Sequence, residues 1–240
     1  MNSIKNKIGT AFVVPAFCVL SVACDSDSHQ YRDTSQPVVI DFNDDHHDFS
    51  ALFSDYPQGQ EGFFELASSY QQLPTPYEDK HAYRLYGSNR SDDLFMGLYG
   101  KIDNLKPAKR YNLSFKTTIV TNIQSNCAGI GGPPGESVYI KVATHSELPK
   151  NSLRDGMYRL NWDVGTQGER GEHSQVVGDI SNGIDCMAEN RYIAKEMSSE
   201  VSIPVMANDN GDVWIMVGSD SGFEGPSELF ISHISVAFTD

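Results

Sequence analysis

The chain has 240 residues, of which 39% are hydrophobic, enough to build a core over most of its length; this excludes wholesale disorder and a polytopic membrane protein. Eighteen Lys and Arg against 32 Asp and Glu give a formal net charge of −14, and no long basic run is present. Phosphate contacts need such runs, so nucleic acid is excluded as a partner.

Met1 to Lys7 carries Lys5 and Lys7 and no acid, and Ile8 to Ala23 is apolar apart from Gly9, Thr10, Cys18 and Ser21. A basic stretch, then an apolar one too short to span a bilayer, then small residues is the pattern of a secretion signal. It ends Leu20-Ser21-Val22-Ala23-Cys24, which resembles the lipobox of bacterial lipoproteins. The resemblance implies cleavage before Cys24, acylation of its thiol and attachment to a membrane through the lipid. Ser21 departs from the pattern, which prefers an apolar residue three before the cysteine. The alternative is an ordinary signal peptide cleaved after Ala23, with Cys24 incidental. Asp25 resembles the inner-membrane retention signal of enteric lipoproteins, which would place the protein on the periplasmic face; otherwise the cell surface or outer membrane is expected. Residues 24–36 are polar and read as a tether, leaving 37–240 as a single domain. Loss of Lys5 and Lys7 with the signal makes the mature chain more acidic still.

From Pro37 on, short alternating segments are broken by turn clusters, and helical periodicity is almost absent. Strands are predicted at Val38–Phe42, Phe63–Leu66, Ala82–Tyr86 and Leu94–Ile102. The clearest runs from Tyr111 to Thr121, where Tyr111, Leu113, Phe115, Thr117 and Ile119 alternate with polar residues. Val138–Ala143, Met157–Asp163, Gln175–Ile180 and Tyr192–Met197 follow. Val213–Gly218 is continuously apolar and is expected mid-sheet with both faces covered. In Glu228–Phe238 the apolar phase slips at Ser232-His233, as at a β-bulge. Leu105-Lys106-Pro107, Gly129 to Gly135 and Asn208 to Gly211 supply turns. About ten strands at this spacing predict an all-β antiparallel sandwich with irregular loops and little helix.

Once Cys18 leaves with the signal and Cys24 takes lipid, Cys127 and Cys186 remain. An oxidising compartment lets them pair, and closing a span of roughly 60 residues is worth about 4 kcal/mol in the chain-entropy model. Two free buried thiols are the alternative; a zinc site lacks the CxxC partners it needs.

The stretch Met96-Gly97-Leu98-Tyr99-Gly100-Lys101-Ile102-Asp103-Asn104-Leu105-Lys106-Pro107, followed by Arg110-Tyr111-Asn112-Leu113-Ser114-Phe115, resembles the central strands of galactose-binding-like jelly rolls, as found in many carbohydrate-binding modules. The closing Leu229-Phe230-Ile231-Ser232-His233-Ile234-Ser235-Val236 is similar to their last strand, with Ser232 where they carry aspartate. The resemblance implies a jelly-roll fold and a glycan or other envelope ligand. It also implies a structural calcium between first and last strands, where Asp41 and Asp240 would meet.

Four groups of residues are candidates for chemistry. Asp41, Asn43 and Asp45 alternate like the first half of a calcium loop, but His46 and Leu52 stand where an EF-hand needs Gly and Glu, and a solvated acidic loop is the plainer reading. His46 and His47 are adjacent, so an extended chain points them apart. With Tyr83, Leu85, Met96 and Leu98 facing a core, Arg84, Tyr86, Phe95 and Tyr99 form an outward stripe. With Asn89, Arg90, Asp92 and Asp93 of the connecting loop, it would make a glycan platform, unless residues 54–80 cover it. Asp220 and Glu224, among glycines at 218–225, are either an acid–base or ion-binding pair or a tight structural connection. Trp162 and Trp214 are in phase with apolar neighbours and are expected in the core. No G-x-S-x-G, H-E-x-x-H or P-loop is present. A lipid-anchored glycan- or envelope-binding sandwich is the leading expectation. A hydrolase or lyase using Glu136, Asp220 and Glu224, and a purely structural or partner-binding lipoprotein, are the alternatives.

Overall fold

A computed structural model describes residues 30–91 and 93–239; the signal, Cys24, Asp92 and Asp240 lie outside the described residues. No helix occurs among the described residues, and from Tyr31 on the chain forms one unit. The strands in chain order are β1 (Val38–Asp41), β2 (Ser50–Ser54), β3 (Ala67–Gln72), β4 (His81–Ser88), β5 (Leu94–Ile102), β6 (Arg110–Thr121) and β7 (Val138–His145). They continue with β8 (Asn151–Arg154), β9 (Met157–Leu160), β10 (Ser174–Asp179), β11 (Ile193–Ser198), β12 (Ile203–Met206), β13 (Val213–Ser221) and β14 (Pro226–Thr239).

They build an antiparallel sandwich. One sheet has the order β11-β6-β14-β4-β3, with β1 added to β14 and β12 to β6; the other runs β10-β7-β13-β5-β2. The alternation seen in sequence sets which side chains face inward. Leu113, Phe115 and Ile119 of β6, Leu94, Met96 and Leu98 of β5, and Val213, Ile215 and Val217 of β13 share one buried cluster. β13 lies between β7 and β5 and is buried on both faces, which accounts for its unbroken apolar run. In β14 the register against β6 shifts between Ile231 and His233, so Leu229 and Ile231 before the bulge and Ile234 and Val236 after it all reach the core.

The second sheet carries a further layer. β8 and β9 pair as a hairpin, and the chain after them lies on that sheet's outer face. There Leu160, Trp162 and Val164 pack on Phe95, Ala143 and Met216 as a second buried cluster. A smaller one, built on Leu73, Ala82, Val120 and Phe230, covers the outer face of the first sheet.

Phe63–Leu66 is a turn and not a strand: Phe64 N–H donates to the Gln60 carbonyl and Leu66 N–H to that of Glu61, so Phe64 is buried while Phe63 stays exposed. Cys127 and Cys186 form a disulfide across a separation of 59 residues, and beside it Ser125 bridges to Asp185. The bond joins the 122–137 and 181–190 loops and points to an oxidising compartment outside the cytoplasm.

Candidate functional site

The expected stripe does not form one surface. The chain crosses from one sheet to the other between β4 and β5 and makes no hairpin, so Arg84 and Tyr86 lie on the outer face of the first sheet and Phe95 and Tyr99 on that of the second. Arg84 is committed to Glu228, Nε to Oε1 at 2.5 Å, and its guanidinium sits 4.8 Å from the centre of the Tyr86 ring. Phe95 does point away from the main core, but it is 1% exposed, sealed beneath Leu160, Trp162 and Val164. Asn89 is also buried and pins the crossing: its Nδ2 donates to the Ser221 carbonyl at 2.8 Å, and its own N–H donates to that of Gly225. Arg90, exposed, pairs with Glu65 at 3.3 Å and stacks over Phe63. Of the stripe, Tyr99 alone is a half-buried aromatic on the second sheet.

Around Asp41 the polar side chains serve the backbone. Asp41 Oδ1 accepts from Asn43 N–H at 2.9 Å, Asn43 Oδ1 from His81 N–H at 3.2 Å, and Asp45 Oδ1 from His46 N–H at 2.6 Å. β1 does pair with β14, but Asp41 faces His233, whereas Thr239 sits against Asn112, about 20 Å further along the strand. The register therefore carries Asp41 away from the chain's end, and Asp240 itself lies outside the described residues. Among the described residues no three His, Cys, Asp or Glu side chains are grouped to hold a metal ion.

Glu136, Asp220 and Glu224 sit in different surroundings. Glu224 is exposed in a loop whose N–H donates to the Ile130 carbonyl, and Glu136 accepts from Asn126 N–H at 2.8 Å. The two Gly-rich stretches pack on one another, and a Cβ on Gly131 would strike the Gly222 carbonyl oxygen. Asp220 instead lies in β13 beneath the outer layer. Its Oδ2 accepts from Lys141 Nζ at 2.7 Å and from Gln167 N–H at 2.9 Å, while Lys141 also donates to the Val164 carbonyl at 2.9 Å. Both side chains are essentially inaccessible, at 1% and 3%. Burying two charges is tolerable only when they pair and their remaining valences are satisfied. Here the pair also ties the 160–167 segment to the sheet.

Asp93, just ahead of β5, completes this cluster. Burial, then the carboxylates of Asp220 and Asp55, push its pKa up to about 7. Burial raises Asp220 as well, against the pull of Lys141. Asp220 Oδ1 has no hydrogen-bond donor among the described residues, and Asp93, when protonated, can supply one. Arg159 of β9 clamps the outer side, with Nη1 2.5 Å from Asp55 and 3.5 Å from Asp93. A polar cleft of about 490 Å³ opens beside Asp55, Asp93, Arg159 and Trp162. Nothing in the sequence signalled this grouping, because its members come from five separate segments.

At the margin of the outer layer two aromatics pack against its cluster. Tyr99 and Trp214 stand there half-buried, ring centres 6.1 Å apart and nearly edge-to-face. Trp214 thus faces away from the main core, against expectation, because its phase partner Met216 belongs to the outer cluster. Trp162 is buried, yet in that same outer cluster. Ser50 lies opposite Tyr99, and Lys101 opposite Trp214 with an ion pair to Asp212 at 3.4 Å. The result is an apolar pair flanked by hydrogen-bonding groups.

No protein-family model matches the chain, and no curated protein does. Among solved structures it is similar to one from a study of the promiscuous specificity of carbohydrate-binding modules of the β-sandwich superfamily, at 8% identity and TM-score 0.38. That match covers 83% of this chain, which spans 60% of the other. It is similar also to the family 11 carbohydrate-binding module of a cellulosomal cellulase from Clostridium thermocellum, at 7% identity over 86% and 97% of the two chains and TM-score 0.38. A third is the K1 cleaved adhesin domain of Lys-gingipain from Porphyromonas gingivalis, at 6% identity over 85% and 99% and TM-score 0.39. At these identities and scores the likenesses assign neither ligand nor activity to this chain.

Proposed function

We propose that the chain is an extracytoplasmic binding protein, anchored through lipid on Cys24, that holds a carbohydrate of the cell envelope on the outer face of its second sheet. The observation that carries the reading is the half-buried Tyr99–Trp214 pair, set on rigid central strands with polar groups beside it. A pyranose ring offers an apolar C–H face that stacks on such aromatics, while its hydroxyls need the donors and acceptors at the rim. The disulfide and the secretion-like N-terminus support an external location. Gel-retardation against a panel of envelope polysaccharides tests the ligand class. Trp214→Ala and Tyr99→Ala are each expected to weaken retention by roughly tenfold or more, the effect of losing a central aromatic contact. No retention by any polysaccharide, or retention indifferent to both changes, would refute the reading. Labelled fatty acid entering the wild type and not Cys24→Ser tests the anchor.

A further inference from the structure

Next to the aromatic pair, where the two sheets meet, a pocket of about 260 Å³ is lined by Arg110, His145, Ser146, Glu172, His173 and Met206. The imidazoles of His145 and His173 meet edge-to-face with centres 4.4 Å apart, and His145 also stacks on Trp162 at 5.5 Å. Each ring makes a bond that fixes its proton. Glu147 N–H donates to His145 Nδ1 at 2.9 Å, and Asp163 N–H donates to His173 Nδ1 at 3.1 Å. A backbone amide can only donate, so each Nδ1 presents its lone pair and the proton of the neutral ring sits on Nε2. That tautomer suits a hydrogen-bond acceptor and not a metal, which would need the Nε2 lone pair. Burial, then the neighbouring His173, hold the His145 pKa below its ordinary value, so this donor stays a neutral N–H. Arg110, at the start of β6, is exposed and makes no ion pair among the described residues.

We propose that this pocket binds a carboxylate, and, resting on the glycan reading above, that the carboxylate belongs to an acidic sugar such as a uronate. Two preset Nε2–H donors and a guanidinium match the lone pairs of one carboxylate, which Arg binds through two parallel bonds. Glu172 is the one carboxylate in the lining, and it is exposed; with Glu147 it draws the His145 pKa upward, against the larger effects of burial and His173. The chain's overall negative charge repels anions at long range, but salt screens that beyond about 8 Å at physiological ionic strength and leaves contact hydrogen bonds intact. The site is continuous with the aromatic pair: Trp214 is directly opposite His145 in the β13–β7 pairing. A sugar ring on Trp214 would thus hold its acid group over the histidines.

The test follows the His145 and His173 ring resonances of the full-length protein during titration with glucuronate and, separately, with methyl glucoside. Glucuronate is expected to shift both rings, methyl glucoside neither, and Arg110→Gln to weaken the glucuronate response by about tenfold. No response to glucuronate, an equal response to the neutral sugar, or indifference to Arg110→Gln would overturn the proposal. Arg110 is exposed and makes no ion pair among the described residues, so this variant is expected to fold, and unchanged melting confirms it. If neutral polysaccharides bind in a Trp214-dependent way while glucuronate does nothing, the carboxylate site fails and the glycan reading stands. If glucuronate binds and no polysaccharide does, the reverse holds.

Discussion

Asp93 and Asp220 face one another at the seam between the second sheet and the layer that covers it, and their shared proton sets a direction for stability against pH. The folded-state pKa of Asp93 is raised from 3.8 to about 7, so the folded protein keeps a proton that the unfolded chain releases above about 4. The stabilisation is complete at low pH and is lost as pH rises toward and through 7. Asp93→Asn carries a permanent donor to Asp220 and no charge. It is expected to raise the melting temperature at pH 8 by roughly 3–8 °C and to leave it nearly unchanged at pH 4. Calorimetry at the two values decides; equal effects at both would mean that the carboxyl does not titrate in this window. The Lys141–Asp220 pair was hidden at this scale too. Lys141 sits in a run of strand-forming residues, and only the β7–β13 register shows that its ammonium is buried against a carboxylate 79 residues away.

Among the elements, those with strong alternation or unbroken apolar runs could be read directly from sequence. β5, β6, β13 and β14 bury at least one full face, so burial selects a period of two, and even the bulge in β14 left its mark as a phase slip. β3, with the sequence ASSYQQ, and β8, NSLR, carry no strand signal because neither buries an apolar row. β2 lies outside the predicted strands as well, and β12 carries Pro204, which an edge position tolerates because its missing N–H faces away from the ladder. The glycan stripe failed for a related reason. Alternation says which residues share a face of one strand, but it does not say whether two consecutive strands share a sheet. At this scale the disulfide replaces regular structure across two long loops. Replacing both Cys127 and Cys186 with Ser is expected to cost about 2–5 kcal/mol, lowering the melting temperature by on the order of 10 °C. Denaturant titration under non-reducing conditions measures it, and a change below 1 kcal/mol would show that the loops hold themselves.

From Tyr31 on, the chain is a two-sheet sandwich with a third, partial layer over one outer face. The sequence conveyed the all-β class. It did not convey the third layer, because Leu160, Trp162 and Val164 look like core residues and are, except that their core is a separate one. The candidate site inherits this. Alternation in the sequence turns Tyr99 outward, whereas Trp214 and the histidine pocket emerge only once the position of the cover is known.

That partial cover sets a ruler. The uncovered strip runs across the strands from Ser50 on β2 through Tyr99 on β5 and Trp214 on β13 to His145 on β7, three inter-strand steps or about 14 Å. On the proposed reading, a polymer crossing it touches the protein over only a few sugar units before meeting the raised 160–167 segment or the edge of the sheet. Affinity is therefore expected to climb with oligosaccharide length and then stop after a few units. Calorimetric titration of a ladder of oligomers would show the plateau, and a steady gain with every added unit would mean that the ligand lies along the strands instead. A protein with so short a grip, held to a surface in many copies, would retain long chains by number of contacts and release each one quickly.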